Sequence, residues 1–111
     1  MIQAGKSYPD GTTKTSPYGN IPFEGGGSHV DGAISMASTG AGVGGSAEFF
    51  ICDGDQTFLD GNYAAFGKVI EGIEVVRDIA DDPNDGSLEP NPGGGKPLQD
   101  IIIYSITISN Y

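Results

Sequence analysis

The chain has 111 residues, with 15 acidic and 5 basic side chains and a net charge of −10; no basic stripe exists to neutralise nucleic-acid phosphates or to hold an anionic membrane surface. Nineteen glycines and 7 prolines against 37% hydrophobic residues predict one mainly β domain rich in turns, with little helix. A single cysteine, Cys52, and a single histidine, His29, exclude an intrachain disulfide and a structural zinc site.

Residues 6–32 read as a long connection. Pro9, Gly11, Pro17, Gly19, Pro22 and the run Gly25-Gly26-Gly27 break regular structure. Only Asn20-Ile21-Pro22-Phe23-Glu24 looks anchored. A short strand follows at Ala33-Ile34-Ser35-Met36-Ala37, then a glycine loop from Gly40 to Gly45. Glu48-Phe49-Phe50-Ile51-Cys52 is a second strand, too apolar for a one-sided surface strand. After the turn Leu59-Asp60-Gly61-Asn62, the stretch from Tyr63 to Ile70 is a third. One helix is predicted over 72–80, because Ile73, Val76, Ile79 and Ala80 fall on one stripe. Glu71 and Glu74 suit its first turn, and Pro83 marks its end. Residues 81–97 form a polar loop. The clearest strand is the last, where Ile102, Tyr104, Ile106 and Ile108 alternate with Ile103, Ser105 and Thr107.

Several motifs invite chemistry and fail on context. Gly40-Ala41-Gly42-Val43-Gly44-Gly45 matches G-x-G-x-x-G, but a strand-like segment follows where a dinucleotide site needs a helix N-terminus. Asp81-Asp82-Pro83-Asn84-Asp85-Gly86 resembles the start of a calcium loop, yet positions 3 and 12 would be Pro83 and Pro92, which supply no carboxylate. No nucleophile elbow surrounds any serine near His29, which reads as a surface or packing residue. Cys52, in an apolar strand beside Asp53, reads as buried and inert. No cofactor or metal is expected. No apolar run reaches the roughly 20 residues needed to span a bilayer, no signal-peptide stretch opens the chain, and a cytoplasmic location is the expectation.

Four ordered motifs carry a family resemblance. These are Met1-Ile2-Gln3-Ala4-Gly5; His29-Val30-Asp31-Gly32-Ala33-Ile34-Ser35-Met36-Ala37; Gly45-Ser46-Ala47-Glu48-Phe49-Phe50-Ile51; and Leu59-Asp60-Gly61 with the run from Phe66 to Val76. Together they resemble the cyclophilin family of peptidyl-prolyl cis-trans isomerases, and the wording from Tyr63 to Ile70 is closest to bacterial members. The resemblance implies a mainly β fold over 1–111, a cyclophilin-like antiparallel β-barrel, here incomplete, with one α-helix near 72–80. It implies catalysis of rotation about X–Pro bonds during protein folding. That rotation is opposed by amide resonance of about 20 kcal/mol and takes roughly tens to hundreds of seconds uncatalysed.

Carried over by position, the resemblance makes Met1, Phe50 and Leu59 the lining of a proline pocket, with Phe50 as its floor. Phe49 alternates to the opposite face and would be core. Gln3 would stand beside the reactive bond. Ala37 and Ser38 would offer a backbone-binding edge, with Ser38 where the family commonly has Asn. Glu48 would stand at the rim, Phe58 at an aromatic position beside the pocket, and Tyr63 where many members have His. Proline-containing peptides or unfolded proteins are the partners implied.

The chain begins inside the family's F-M-I-Q-G-G motif. The strand bearing F-H-R, whose Arg is the family's donor to the imide nitrogen, has no counterpart here. Arg77 lies on the helix, and Lys6, Lys14, Lys68 and Lys96 match no site motif. Two readings stay open: a gene start placed at an internal Met, or a C-terminal two-thirds of the fold. On the second, a complementing chain or self-association covers the open barrel edge. The functional alternative is a proline-peptide binding or assembly module without catalysis.

Overall fold

The computed structural model describes residues 1–14, 16–40, 42–89 and 94–109. Four short antiparallel strands, β1 (Ile2–Ala4), β2 (Ala33–Met36), β3 (Phe49–Ile51) and β4 (Ala65–Lys68), form one sheet in the order β1-β3-β2-β4. The sheet does not close, so β1 and β4 are its edges among the described residues. One helix, α1 (Ile73–Asp81), and a 3₁₀ turn (Thr57–Leu59) complete the elements. The fold is mainly β, an unclosed antiparallel sheet with one helix, as an incomplete cyclophilin-like barrel requires. The chain divides into two units, Met1–Ala80 and Asp81–Tyr111, and all four strands belong to the first.

Register explains which side chains are covered. Ser35 faces Phe50, and Phe50 in turn faces Gln3 across β1 and β3. Ala33, Ser35 and Ala37 are small and buried, which leaves room for the Phe50 ring beside Cys52. Burying a phenyl group of this kind contributes about 1.5–3 kcal/mol. A bulge between Ile34 and Ser35 shifts the pairing with β4, and the extra residue twists that edge. Gly32, at φ 83°, opens β2 in a backbone conformation that side-chain-bearing residues rarely adopt.

The opposite face corrects one expectation. Phe49 is half-buried, not core. It lies in register with Ala4 and Met36, next to the row Ile2, Ile51 and Ile34. All six are only partly exposed or half-covered side chains, because no further strand among the described residues packs over them. Beside them Ile21, Pro22, Glu24, Met36, Ala64 and Phe66 line a groove of about 290 Å³. The anchoring expected of residues 20–24 is present: the Ile21 N–H donates to the Gly45 carbonyl at 2.8 Å.

The helix forms one residue later than expected and runs to Asp81, two residues before Pro83. Glu74 lies in its first turn, whereas Glu71 precedes it. Val76 is its buried contact and Ile73, Ile79 and Ala80 are half-buried. Arg77 fastens the helix to two loops. Its guanidinium donates to Asp31 Oδ2 at 2.7 Å, Asp31 Oδ1 at 3.1 Å and Asp53 Oδ1 at 2.7 Å. Asp31 also accepts the Gly54 N–H, and these donors hold its carboxyl at about 2.

The third predicted strand contracts to β4, although Val69 still donates to the Gly32 carbonyl at 2.8 Å. In the second unit Asn84 bridges Pro97, and the Asp85 carboxylate accepts the Ser87 and Lys96 amides. The acidic stretch is thus a solvated turn; Pro92 and Gly93 lie outside the described residues, as does Ala41 of the glycine loop. The largest correction concerns residues 101–108. They adopt no regular structure and are exposed, Tyr104 to 94% and Ile108 to 89%. Alternating apolar residues make a strand only when a neighbour completes the ladder, and none does among the described residues.

Candidate functional site

Four of the nine expected site residues, Ala37, Phe50, Leu59 and Tyr63, share one packed cluster, and Gln3 and Glu48 meet each other at its edge. Phe50 is 3% exposed and packs with Ala33, Ala37 and Cys52, while Leu59 and Tyr63 lean on the same cluster. The Tyr63 ring meets Phe50 edge-on, 6.1 Å between centroids at 84°, a favoured aromatic geometry. Gln3 is the cross-strand partner of Phe50. Its Nε2 donates to Glu48 Oε1 at 2.6 Å, which fixes the amide with its oxygen free to act as an acceptor.

The expected backbone edge and the outer residues stand differently. The Ala37 N–H is occupied by the Glu48 carbonyl at 3.0 Å. The Ser38 hydroxyl donates to the Gly40 carbonyl at 2.7 Å and so serves its own turn. Met1 and Phe58 lie outside the packed cluster, 46% and 72% exposed. Phe58 and Leu59 share the 3₁₀ turn, which sends one side chain to solvent and the other to the cluster.

Beneath Phe50 lies a polar network that motif reading left unconnected. His29 is 0% exposed and stacks on Phe50, 5.8 Å between centroids at 16°. Its Nδ1 lies 2.9 Å from Asp60 Oδ1, and its Nε2 2.9 Å from Ser35 Oγ. In the neutral ring, donation from Nδ1 to the carboxylate leaves Nε2 to accept the Ser35 hydroxyl. Asp60 Oδ1 also accepts the His29 N–H at 2.7 Å. That backbone bond first, then the His29 ring, then the Ser28 hydroxyl lower the Asp60 carboxyl below its ordinary range. The order Asp60, His29, Ser35 has the outline of a hydrolytic relay, but Ser35 is 0% exposed, and a nucleophile sealed from solvent attacks nothing. His29 is therefore a packing residue, one of the two roles expected of it. All three residues sit in the quoted motifs; only the return of the chain at Asp60 brings them together.

Cys52 is fully buried, and desolvation pushes its thiol up, which makes it inert. Among the described residues no group of three or more His, Cys, Asp or Glu side chains is placed to hold a metal ion. No helix among them is long and apolar enough to cross a membrane.

Comparison with known proteins bears on the same residues. The family model described as cyclophilin type peptidyl-prolyl cis-trans isomerase/CLD matches residues 1–108. A Gallus gallus protein named peptidyl-prolyl cis-trans isomerase-like 3 is 37% identical over 113 residues, covering 97% of this chain and 65% of the relative. The Homo sapiens protein of the same name is 40% identical over 80 residues, 72% of this chain and 45% of the relative. A Homo sapiens peptidylprolyl isomerase domain and WD repeat-containing protein 1 is 36% identical over 75 residues, 68% of this chain and 10% of the relative. The chain thus spans 65% or less of the length of these relatives. A family match from the first residue to 108, through the strands that gather Gln3, Glu48, Phe50, Leu59 and Tyr63, assigns this chain to the cyclophilin-type peptidyl-prolyl cis-trans isomerase family.

Proposed function

We propose that residues 1–111 act as a single cyclophilin-like domain that grips proline-containing segments of peptides or unfolded proteins and accelerates rotation about the X–Pro bond. The observation that carries this reading is Gln3 directly opposite Phe50 on paired strands, with Leu59 and Tyr63 closing on the same ring. The reaction breaks no covalent bond, so it needs neither nucleophile nor cofactor. It needs an apolar surface for the prolyl ring, polar groups for the flanking backbone, and better binding of the twisted amide than of the planar one. Phe50 supplies the surface and Leu59 one wall, while Met1 and Phe58, exposed outside the packed cluster, turn inward to complete it when a peptide binds. Gln3, held by Glu48, faces the bond, and Ala37 and Ser38 offer a backbone edge through groups other than the occupied Ala37 N–H and Ser38 hydroxyl. Because Phe50 is 3% exposed, entry of a prolyl ring requires Leu59 or Tyr63 to swing aside.

A second reading is favoured by one observation. Arg77, the sole arginine of the chain, is engaged by Asp31 and Asp53 and is not a donor beside Gln3. Without such a donor the domain binds proline peptides and leaves their isomerisation rate unchanged. The edges that β1 and β4 leave unpaired among the described residues support a complementing chain or a second copy as partner in either case.

An Ala-Ala-Pro-Phe peptide separates the readings. Binding with faster cis-trans exchange, seen as exchange between the two proline resonances, supports the isomerase. Binding with the uncatalysed rate supports the binding module. Absence of binding overturns both.

A further inference from the structure

The segment that carries Phe58, Leu59 and Tyr63 hangs on one residue. The His29 carbonyl accepts the Gln56 N–H at 2.7 Å, ahead of the 3₁₀ turn. The His29 N–H and ring both meet Asp60 Oδ1, just after it. From the same ring, Nε2 reaches Ser35 on β2, and the flat face stacks on Phe50. Phe50 therefore contacts two rings, His29 stacked on it and Tyr63 nearly perpendicular to it. Tyr63 is itself tied to the turn, its N–H donating to the Leu59 carbonyl at 3.3 Å.

We infer that His29 and Asp60 are positioning residues of the proline site, setting the angle of the Phe50 ring and the distance at which Leu59 and Tyr63 close over it. The inference rests on the reading of Phe50 as the pocket floor, and neither residue needs to touch the peptide. A buried imidazole with both nitrogens hydrogen-bonded cannot rotate without breaking two bonds, so the ring against Phe50 is fixed as long as Asp60 holds Nδ1. Asp60 itself is 39% exposed, which places the control point of a buried network at the surface. A substitution there removes the hold on His29 without opening a cavity in the core.

The test is Asp60→Ala in the full chain, with Asp60→Asn beside it. The readouts are the nuclear Overhauser contact between the Phe50 and Tyr63 rings and the affinity for an Ala-Ala-Pro-Phe peptide. Asp60→Ala is expected to weaken the ring contact and to bind roughly tenfold more weakly, the scale of one hydrogen bond to a charged group. Asp60→Asn keeps an oxygen acceptor and is expected within about threefold of the parent, with shifted Phe50 resonances. Asp60→Ala with either readout unchanged overturns the inference. A parent chain that fails to bind the peptide overturns the site reading, and the ring contact alone then decides whether Asp60 positions Phe50. If Asp60→Ala does not fold, Asp60→Asn carries the test, and parental affinity with parental ring resonances overturns it.

Discussion

β3 and residues 101–108 are similar as sequence and opposite as structure. Both are runs of large apolar residues with strong β preference. β3 has β1 on one side and β2 on the other, and Phe50 disappears into the layer so formed. Residues 101–108 have no strand neighbour among the described residues and stay irregular and exposed. Side-chain preference is therefore a weak director by itself. A strand exists where its backbone donors and acceptors find partners, and burial follows from that pairing.

The sharpest way to break the comparison is to remove the covered ring. Phe50→Ala should cost roughly 3–5 kcal/mol of stability, from lost burial plus the cavity left beside Ala33, Ala37 and Cys52. Denaturant unfolding monitored through tyrosine fluorescence checks this, and a loss below about 1 kcal/mol would mean that Phe50 is not a core contact. Gly32→Ala comes next. Its added Cβ has room, with Ile73 and Val69 atoms at 3.7 Å, but the φ of 83° is strained for alanine. A loss of about 1–2 kcal/mol is expected, and an unchanged midpoint would show that the turn into β2 adapts freely.

Acid provides a third measurement. The Arg77 guanidinium, then the Gly54 N–H, lower Asp31 from its ordinary 3.8 to about 2. A carboxyl depressed in the folded state stabilises it above the unfolded value, and that contribution fades as pH falls from 3.8 towards about 2. Arg77→Met should flatten the dependence of Tm on pH within this window. The flattening is partial, because Asp10, Asp60 and Asp85 are lowered in the same direction, and modest, because water screens a pair whose side chains are 43% and 40% exposed. An identical profile in the variant would assign the acid response to those other carboxyls.

The smallest effect belongs to the uncovered segment. Ile106→Asp should change stability by less than about 0.5 kcal/mol, as for exposed positions generally, while reducing binding of an apolar dye. A cooperative loss of structure after this substitution would reveal that 101–108 is covered in solution.

Much of the candidate site was legible at the level of motif order. Four short runs name the strand that carries Phe50, the turn that carries Leu59 and the start at Gln3, and the helix follows from its own period. Phe49 shows where such reading stops. Alternation separates it correctly from Phe50, but whether its face is covered depends on which strands are present to cover it. His29 shows a second limit. Asp60 lies 31 residues away and Ser35 only 6, and no local pattern states that one carboxylate oxygen will meet both its backbone N–H and its ring.

By itself the amino-acid order determined the local matters: the glycine turns, the acidic surface and the helix stripe. These depend on backbone freedom, charge and periodicity, which act within a few residues. The tertiary structure alone decided which apolar run became a buried strand, which face of the sheet stayed half-open, and how a lone histidine came to lie sealed between Asp60, Ser35 and Phe50. Those outcomes depend on pairing and desolvation between distant segments, and neither has a value until the chain has folded back on itself.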